Sequence, residues 1–589
     1  MPARRNSLIF SRAATALRFE VAPVNMKSLA SMSDALKQRT RVIAMIGALL
    51  AMLLSALDQT IVATALPQIV KEFNGLQHLS WVYSSYLLAS TVTIPIYGKL
   101  SDIYGRRNFF LGGIAIFLVG SALSGQAHSM LELILFRGLQ GIGAGAIMVN
   151  SIALIGDLFT PAERGRWQGL IGAVFGIASI AGPLMGGWLT DNISWRWIFY
   201  INLPLGALAL IVIATMLPKI RPEALERSID YRGSISLALA LVALLLGFVW
   251  GGSQYPWLSP QIIGLFVACG AFLLLFMVIE EHAREPILPL GLFRHRALSV
   301  SSAVTFLVSF AMFGAVAFLP LYAQSVVGFS ATNSGLALTP LMLGAVFSST
   351  IAGQVISRWG TYKAVAIGGM VLSVIGIYLF SRLTADTSKL ELVEYMALLG
   401  LGIGVSFPIY TIVVQSAFDR SKLGVVTAAI QMFRNIGSTV GIAVMGSLMN
   451  NALAGKLAGL DTNPFVQSVR QINPAAPLTH ITTDTLQSFL AGEGRQGLQK
   501  VVASAPAAQQ AQLQQGFASF LQTLKDALAS SISGIFYVTI FLMLAALAIV
   551  LLLPVINLHP MKQRPLPEEI GVEVEAELML SEPEDEPEL

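Results

Sequence analysis

The sequence predicts an all-α polytopic membrane protein with fourteen spans. Three observations carry that prediction. The 589-residue chain is 55% hydrophobic and only 12% charged, with mean hydropathy +0.70, about half the charge of soluble domains. Its apolar residues fall in runs near the ~20 needed to cross ~30 Å of hydrocarbon, not in the alternating pattern of barrel strands. The short loops between runs alternate between basic and nearly uncharged, which sets orientation.

Residues 1–41 are polar and basic, from Arg4 and Arg5 to Arg39 and Arg41. Arg12 and Arg18 interrupt the apolar stretch after Arg4-Arg5, so it makes a poor signal sequence. A disordered cytoplasmic tail is expected there, or an over-long start with Met26 or Met32 as initiator. The runs then follow at about 42–66, 79–99, 108–127, 131–154, 167–189, 196–217, 233–251, 261–280, 298–322, 334–356, 363–382, 393–416, 424–449 and 532–556. Inside loops carry Lys99, Arg106 and Arg107; Arg164 and Arg166; Lys219 to Arg232; Arg284 to Arg296; Arg358 and Lys363; Arg420 and Lys422. The outside loops near 128, 255 and 328 hold neither Lys nor Arg. Both termini are therefore expected in the cytoplasm. Residues 450–531 form one large outside segment, in which Leu513, Phe517, Phe520, Leu521 and Leu524 recur at helical spacing. A small helical cap fits this segment, and so does disorder in its first half. The tail at 557–589 is acidic and expected to be disordered.

The most polar stretch of the first half is Gly98 to Arg107, GKLSDIYGRR, between the second and third runs. A degraded copy, GQVISRWGTYK at Gly353 to Lys363, lies between the tenth and eleventh. Gly353 and Gly360 are spaced like Gly98 and Gly105, while Gln354, Ser357 and Thr361 replace Lys99, Asp102 and Arg106. Two six-span blocks follow, at 42–217 and 298–556, with two inserted spans at 218–297. Parallel six-span repeats are the plan of a large transporter class with a midplane site between bundles.

Charges inside spans are functional candidates by default. Asp58 lies in the first run, Glu132 and Arg137 in the fourth and Arg434 in the thirteenth. At 1.5 Å per residue, Asp58 and Arg137 sit roughly 12 Å and 9 Å inside the outer ends of antiparallel helices. Three readings stand: a proton-sensitive pair, switching between anion and neutral acid as water access changes, a permanent structural ion pair, or an Asp58 that only caps polar groups near the outer mouth. Gln140 adds a polar group on the side of Arg137. No acidic partner for Arg434 is visible in the sequence. RGLQGIGAG at 137–145 imitates a nucleotide loop, but it lies inside an apolar helix, and no GxxxxGK[ST] exists. Its glycines instead allow close helix packing. The fifth run holds Gly176, Gly182, Pro183, Gly186 and Gly187, a pattern suited to a moving interface with a hinge. Asp102 and Arg106, four apart, are read either as a latch between the bundles or as solvated loop charges.

No catalytic triad, metal cluster or nucleotide site can be assembled, and no cofactor is expected. His78, His128, His282, His295 and His559 are scattered among loops and helix ends. Cys269, the single cysteine, is expected to serve packing. The basic residues form no stripe, so nucleic acid is not expected as a partner.

With these motifs in order, the chain resembles the major facilitator superfamily, in its fourteen-span drug:proton antiporter branch. GKLSDIYGRR resembles the motif between the second and third spans. Arg137 with Gly138, Gln140 and Gly141 resembles the fourth-span motif, and GIASIAGPLMGG the fifth-span antiporter motif. LDQTIVATALP and WRWIFYINLPLG resemble stretches of the fourteen-span branch. The resemblance covers roughly 42–450 and the last span. It implies the major facilitator fold and proton-coupled export of amphipathic small molecules, cationic or toxic ones among them, across an inner membrane. It also implies that Asp102 and the arginines link bundles, that Arg137 takes part in proton coupling, and that the fifth-span glycines limit leak. The expected partners are a small-molecule substrate, protons and the lipid bilayer, with a periplasmic adaptor or outer-membrane channel left open. Two rival readings remain: a dedicated exporter of one metabolite, siderophore or lipid, and a non-transporting membrane sensor or scaffold.

Overall fold

The computed structural model describes residues 26–555, apart from 74–78, 218–228, 253, 330–337, 461–462, 473–485, 487–488, 491–492, 504 and 506. Arg4-Arg5, His78, His559, the acidic tail and parts of the 450–531 segment lie outside the described residues. Helices account for the described spans, and among the described residues no β-strand forms. Lipid leaves no other choice for an open chain, since each backbone amide must bond within its own segment.

Among the described residues fourteen long helices run in chain order: α1 (Met26–Phe73), α2 (Leu79–Tyr104), α3 (Arg106–Gly125), α4 (Met130–Leu158), α5 (Pro161–Asn192), α6 (Trp197–Met216), α7 (Tyr231–Trp250), α8 (Pro260–His282), α9 (Arg296–Tyr322), α10 (Thr339–Trp359), α11 (Lys363–Ser381), α12 (Lys389–Ala417), α13 (Leu423–Leu457) and α14 (Ala507–Leu551). Thirteen are long and apolar enough to cross a membrane; α2 is the exception. Its hydroxyls turn back on their own helix: Thr91 and Thr93 donate to the carbonyls of Leu87 and Ala89, each at 2.8 Å. Satisfied in this way, a Ser- and Thr-rich helix can lie within a bundle.

Helices α1–α6 pack together, as do α9–α14, and α7 and α8 pair beside them. Helices α4 and α12 sit at equivalent places. Ser129 and Ser388 cap their N-termini, each accepting from the amide three residues on, at Glu132 and Glu391. Gly141, Gly143 and Gly145 admit the backbones of α2 and α3 within distances no Cβ would tolerate; Gly400, Gly402 and Gly404 do the same for α10 and α11. Three of the four glycines of RGLQGIGAG are thus packing devices, while a Cβ at Gly138 would meet nothing within 4 Å.

Two boundaries differ from the sequence reading. Helix α1 begins at Met26, so the expected disordered tail is helical from there onward. The amphipathic stretch of the 450–531 segment is the start of the 45-residue α14, and two short helices, Pro464–Ile472 and Glu493–Ala503, pack against it, so the expected helical cap is continuous with the last span. Its Leu513, Phe517, Phe520 and Leu524 are buried, with the Phe520 ring tilted against Phe465 and edge-on to Phe489. Burial of that apolar stripe stabilises the helical extension well past the bilayer's needs. Cys269 is buried in α8, as packing required.

Candidate functional site

Three helices deliver polar side chains to one enclosed point. Asp58 on α1 meets Arg137 on α4, with Arg137 Nη1 donating to Asp58 Oδ2 at 2.5 Å. Gln140, one turn further along α4, accepts from the same Nη1 at 2.8 Å and donates to Asp58 Oδ1 at 2.8 Å. The i,i+3 spacing puts Arg137 and Gln140 on one helix face. Asn202 on α6 donates to Asp58 Oδ1 at 2.9 Å. Its Nδ2 also lies 3.0 Å from Ser121 Oγ of α3, which donates to the Phe199 carbonyl. The guanidinium lies 4.4 Å from the centroid of the Tyr86 ring, and Nε donates to the Val82 carbonyl of α2. Asp58, Arg137, Gln140 and Asn202 are all fully buried. Such a pair survives desolvation only because each charge is tied by further hydrogen bonds. Two polar atoms remain without partners, Arg137 Nη2 and Asn202 Oδ1.

The GKLSDIYGRR stretch forms a second cluster at the end of α2. Asp102 accepts from the amides of Gly424 and Val425, at 3.0 Å each, at the start of α13. Those amides are orphan donors of a helix N-terminus, where a carboxylate fits. Arg106 holds Asp102 at 2.6 Å and also pairs with Asp157 of α4. Burial pushes the Asp102 carboxyl up to about 6, against the pull of Arg106 and of the two amides. Gly105, at φ 95°, makes the turn between α2 and α3. Gly98 packs directly on Gly424. Arg107 donates to the Ala214 carbonyl of α6, within its own bundle. Lys99 pairs with Glu285, after the inserted helices, at 2.6 Å. Arg164 adds a further crossing, donating to the Gln415 carbonyl of α12 and the Gly156 carbonyl of α4, both at 2.8 Å.

The fifth-span glycines divide between two neighbours. Gly176 faces Val346 of α10, in the other bundle, continuing a contact line through Gly172, Gly169 and Gly165. Gly182 and Gly186 face Thr60, Ile61 and Thr64 of α1, in their own bundle. A Cβ at Gly187 would meet nothing within 4 Å. Pro183 lies within a continuous α5. Arg434 on α13 lines a small cavity of about 20 Å³ with Thr305, Ser309, Ser406 and Phe407. Its guanidinium lies 5.2 Å from the Phe407 ring centroid.

The family model of the Major Facilitator Superfamily matches residues 48–442. The chain belongs to the major facilitator superfamily. A relative from Bacillus subtilis (strain 168), multidrug transporter protein MdtP, is 40% identical over 527 residues, covering 89% of this facilitator and 95% of that protein. Multidrug resistance protein 3 of the same organism is 38% identical over 424 residues, or 72% and 82% of the two chains. The crystal structure of the human organic anion transporter MFSD10 (TETRAN) shares the fold, with TM-score 0.54 and 17% identity over 85% of this chain and 99% of that one.

Within this facilitator, Asp58, Arg137 and Gln140 converge, and Asp102, Arg106, Gly98 and Gly105 form one cluster. Arg434 stands apart from both. Sequence reasoning missed Asn202, Asp157 and the bridging role of Arg164. Asn202 had a signal, a lone amide at the start of the sixth apolar run. Asp157 had one too, a single carboxylate at the end of the fourth.

Proposed function

We propose that this facilitator exports amphipathic small molecules from the cytoplasm by alternating access, in exchange for protons, across a bacterial inner membrane with both termini inside. The observation that carries the coupling is Asp58, a fully buried carboxylate held by Arg137, Gln140 and Asn202 on two other helices. In the anionic state it ties α1 to α4 and α6. Protonation removes the charge, weakens the tie to Arg137, and leaves a guanidinium seeking another acceptor. A proton arriving from outside would thus loosen the bundle and favour release; loss of that proton to the cytoplasm would restore the tie. Relatives named multidrug transporters support the cargo class. Asp102 at the α13 N-terminus, the Arg164 bridge and the Gly165–Gly353 contact act as the latch that holds one end closed.

The test is transport in proteoliposomes with an imposed pH gradient. Asp58→Asn should abolish gradient-driven efflux while the protein remains folded and binds substrate. Unchanged coupled efflux in that variant would remove Asp58 from the coupling role.

A further inference from the structure

We propose that the Arg434 cavity is the headgroup subsite of the exporter described above, and that it takes the carboxylate or sulfonate of an anionic aromatic amphipath. The inference rests on the export reading for its consequence in transport, but not for binding.

Charge balance is the first argument. In α1 and α4 the buried carboxylate and guanidinium neutralise each other. Arg434 forms no ion pair among the described residues. It sits about 17 Å along α13 from its start at Leu423, and its neighbour Asn435 reaches across to Thr91 of α2 at 3.1 Å. Arg434 therefore leaves an unbalanced positive charge in a cavity walled by α9, α12 and α13. A guanidinium in this position is costly unless an acceptor pairs with it. The Phe407 ring compensates it only in part.

The lining is the second argument. Thr305, on α9, is buried, and its hydroxyl has no hydrogen-bond partner. Ser309 and Ser406 add two more hydroxyls to the same wall, and Met312 supplies an adaptable apolar surface. A planar guanidinium with nearby hydroxyl donors suits a multi-oxygen anion, which it can bind in a forked geometry. A cation finds no carboxylate here. The present cavity of about 20 Å³ admits a group the size of one water. The body of the ligand must then lie toward the bundle interface, with Met312 and Phe407 moving aside.

The test uses purified protein in nanodiscs, with 8-anilinonaphthalene-1-sulfonate as anionic probe and ethidium as cationic competitor. Equilibrium dialysis reads affinity, with empty nanodiscs subtracted. Arg434→Gln should weaken sulfonate binding by about ten-fold or more, as expected for loss of a charge-assisted contact. Arg434→Lys should stay within about three-fold of wild type, and Thr305→Val should lose several-fold without any change of charge. Ethidium should not displace the sulfonate. Wild-type affinity in Arg434→Gln, displacement by ethidium, or no sulfonate binding by the wild type would each overturn the proposal. Should Arg434→Gln fail to fold, Thr305→Val and the ethidium competition still decide it. Transport is scored separately. Exchange of an anion out for a proton in moves net charge, so an inside-negative potential should accelerate it. A wild type that binds the sulfonate but moves it under no gradient would refute the export reading and leave the subsite standing.

Discussion

The two bundles meet at two mirrored crossings, and among the described residues a carboxylate bridges the bundles at only one of them. Gly98 of α2 lies against Gly424 of α13, and Gly353 of α10 lies against Gly165 of α5; in each pair the backbones approach to distances that exclude any Cβ. Ser129, Leu131, Glu132, Leu133, Gly141, Gly143, Gly145, Gly165 and Gly182 recur at constant offset as Ser388, Leu390, Glu391, Leu392, Gly400, Gly402, Gly404, Gly424 and Gly441. Even the packing partners correspond: Gly182 rests on α1, and Gly441 on the Phe310 backbone of α9. Apart from the first-turn glutamates Glu132 and Glu391, the charges do not follow this symmetry. Arg137 and Gln140 have Met396 and Leu399 as counterparts, both buried and apolar. The counterpart of Arg434 is Phe175. Asp102 reaches the second bundle, whereas its counterpart Ser357 brings no carboxylate to the other crossing. Glycines thus record the shared scaffold, and charges record where each half departed from it.

Breaking the charged core of the first bundle should have the largest effect. Removing one partner of a buried pair costs about 3–5 kcal/mol, because the other charge is stranded. Arg137→Gln alone should therefore lower unfolding stability in detergent by about that amount. The double variant Asp58→Asn with Arg137→Gln strands no charge and should recover most of the loss, while still failing to couple efflux to a pH gradient. If the double variant is as unstable as the single one, the network is packing-limited and not charge-limited.

The mirrored crossings come next. A Cβ at Gly165 would stand 2.2 Å from the Gly353 carbonyl oxygen, so Gly165→Val should hold that end of the molecule apart. Gly424→Val should act more strongly, since it also intrudes on the Asp102 carboxylate, 2.5 Å from the same Cβ position. Spin labels at the exposed Arg166 and Trp359 would read the separation. Gly187→Ala, with open space around it, is the silent control. Equal effects at the two crossings would mean that the intrusion on Asp102 adds nothing to the opening.

How much of this was legible follows the same division. The fold was readable because lipid enforces it: apolar runs, basic loops and GxxxG-like spacings each have one physical meaning in a membrane. The Asp58–Arg137 pairing was readable from depth alone. The repeat was found at its weaker copy, the GQVISRWGTYK loop, while the stronger one, SMLEL with GIGAG against SKLEL with GLGIG, lay in plain sight at α4 and α12. Asn202 and Arg164 were not readable as members of their clusters. A single amide or loop arginine gains meaning only when a third helix is placed beside it. Asn202→Ala should cost about 1–3 kcal/mol, the price of leaving Asp58 one donor short. A stability loss below that range would show that water replaces the amide.

The smallest effect at neutral pH should come from Asp102, and its sign is fixed by linkage. Its carboxyl titrates at about 6 in the closed latch, against about 3.9 when exposed to water. The closed form therefore takes up a proton, so its extra stability is fully present below about pH 4 and is lost as pH rises through about 6. Near pH 7 only about one closed-state carboxyl in ten is protonated, and the contribution almost vanishes. Between pH 7 and pH 5 the closed-to-open ratio should rise by roughly ten-fold. The same labels at Arg166 and Trp359 would follow it, and Asp102→Asn should flatten the curve. Because Ser357 occupies the equivalent place at the other crossing, Asp102→Asn should remove the response of the crossings themselves. A response that persists in Asp102→Asn would place the titrating group elsewhere at the latch, and would make the charged crossing a static clamp.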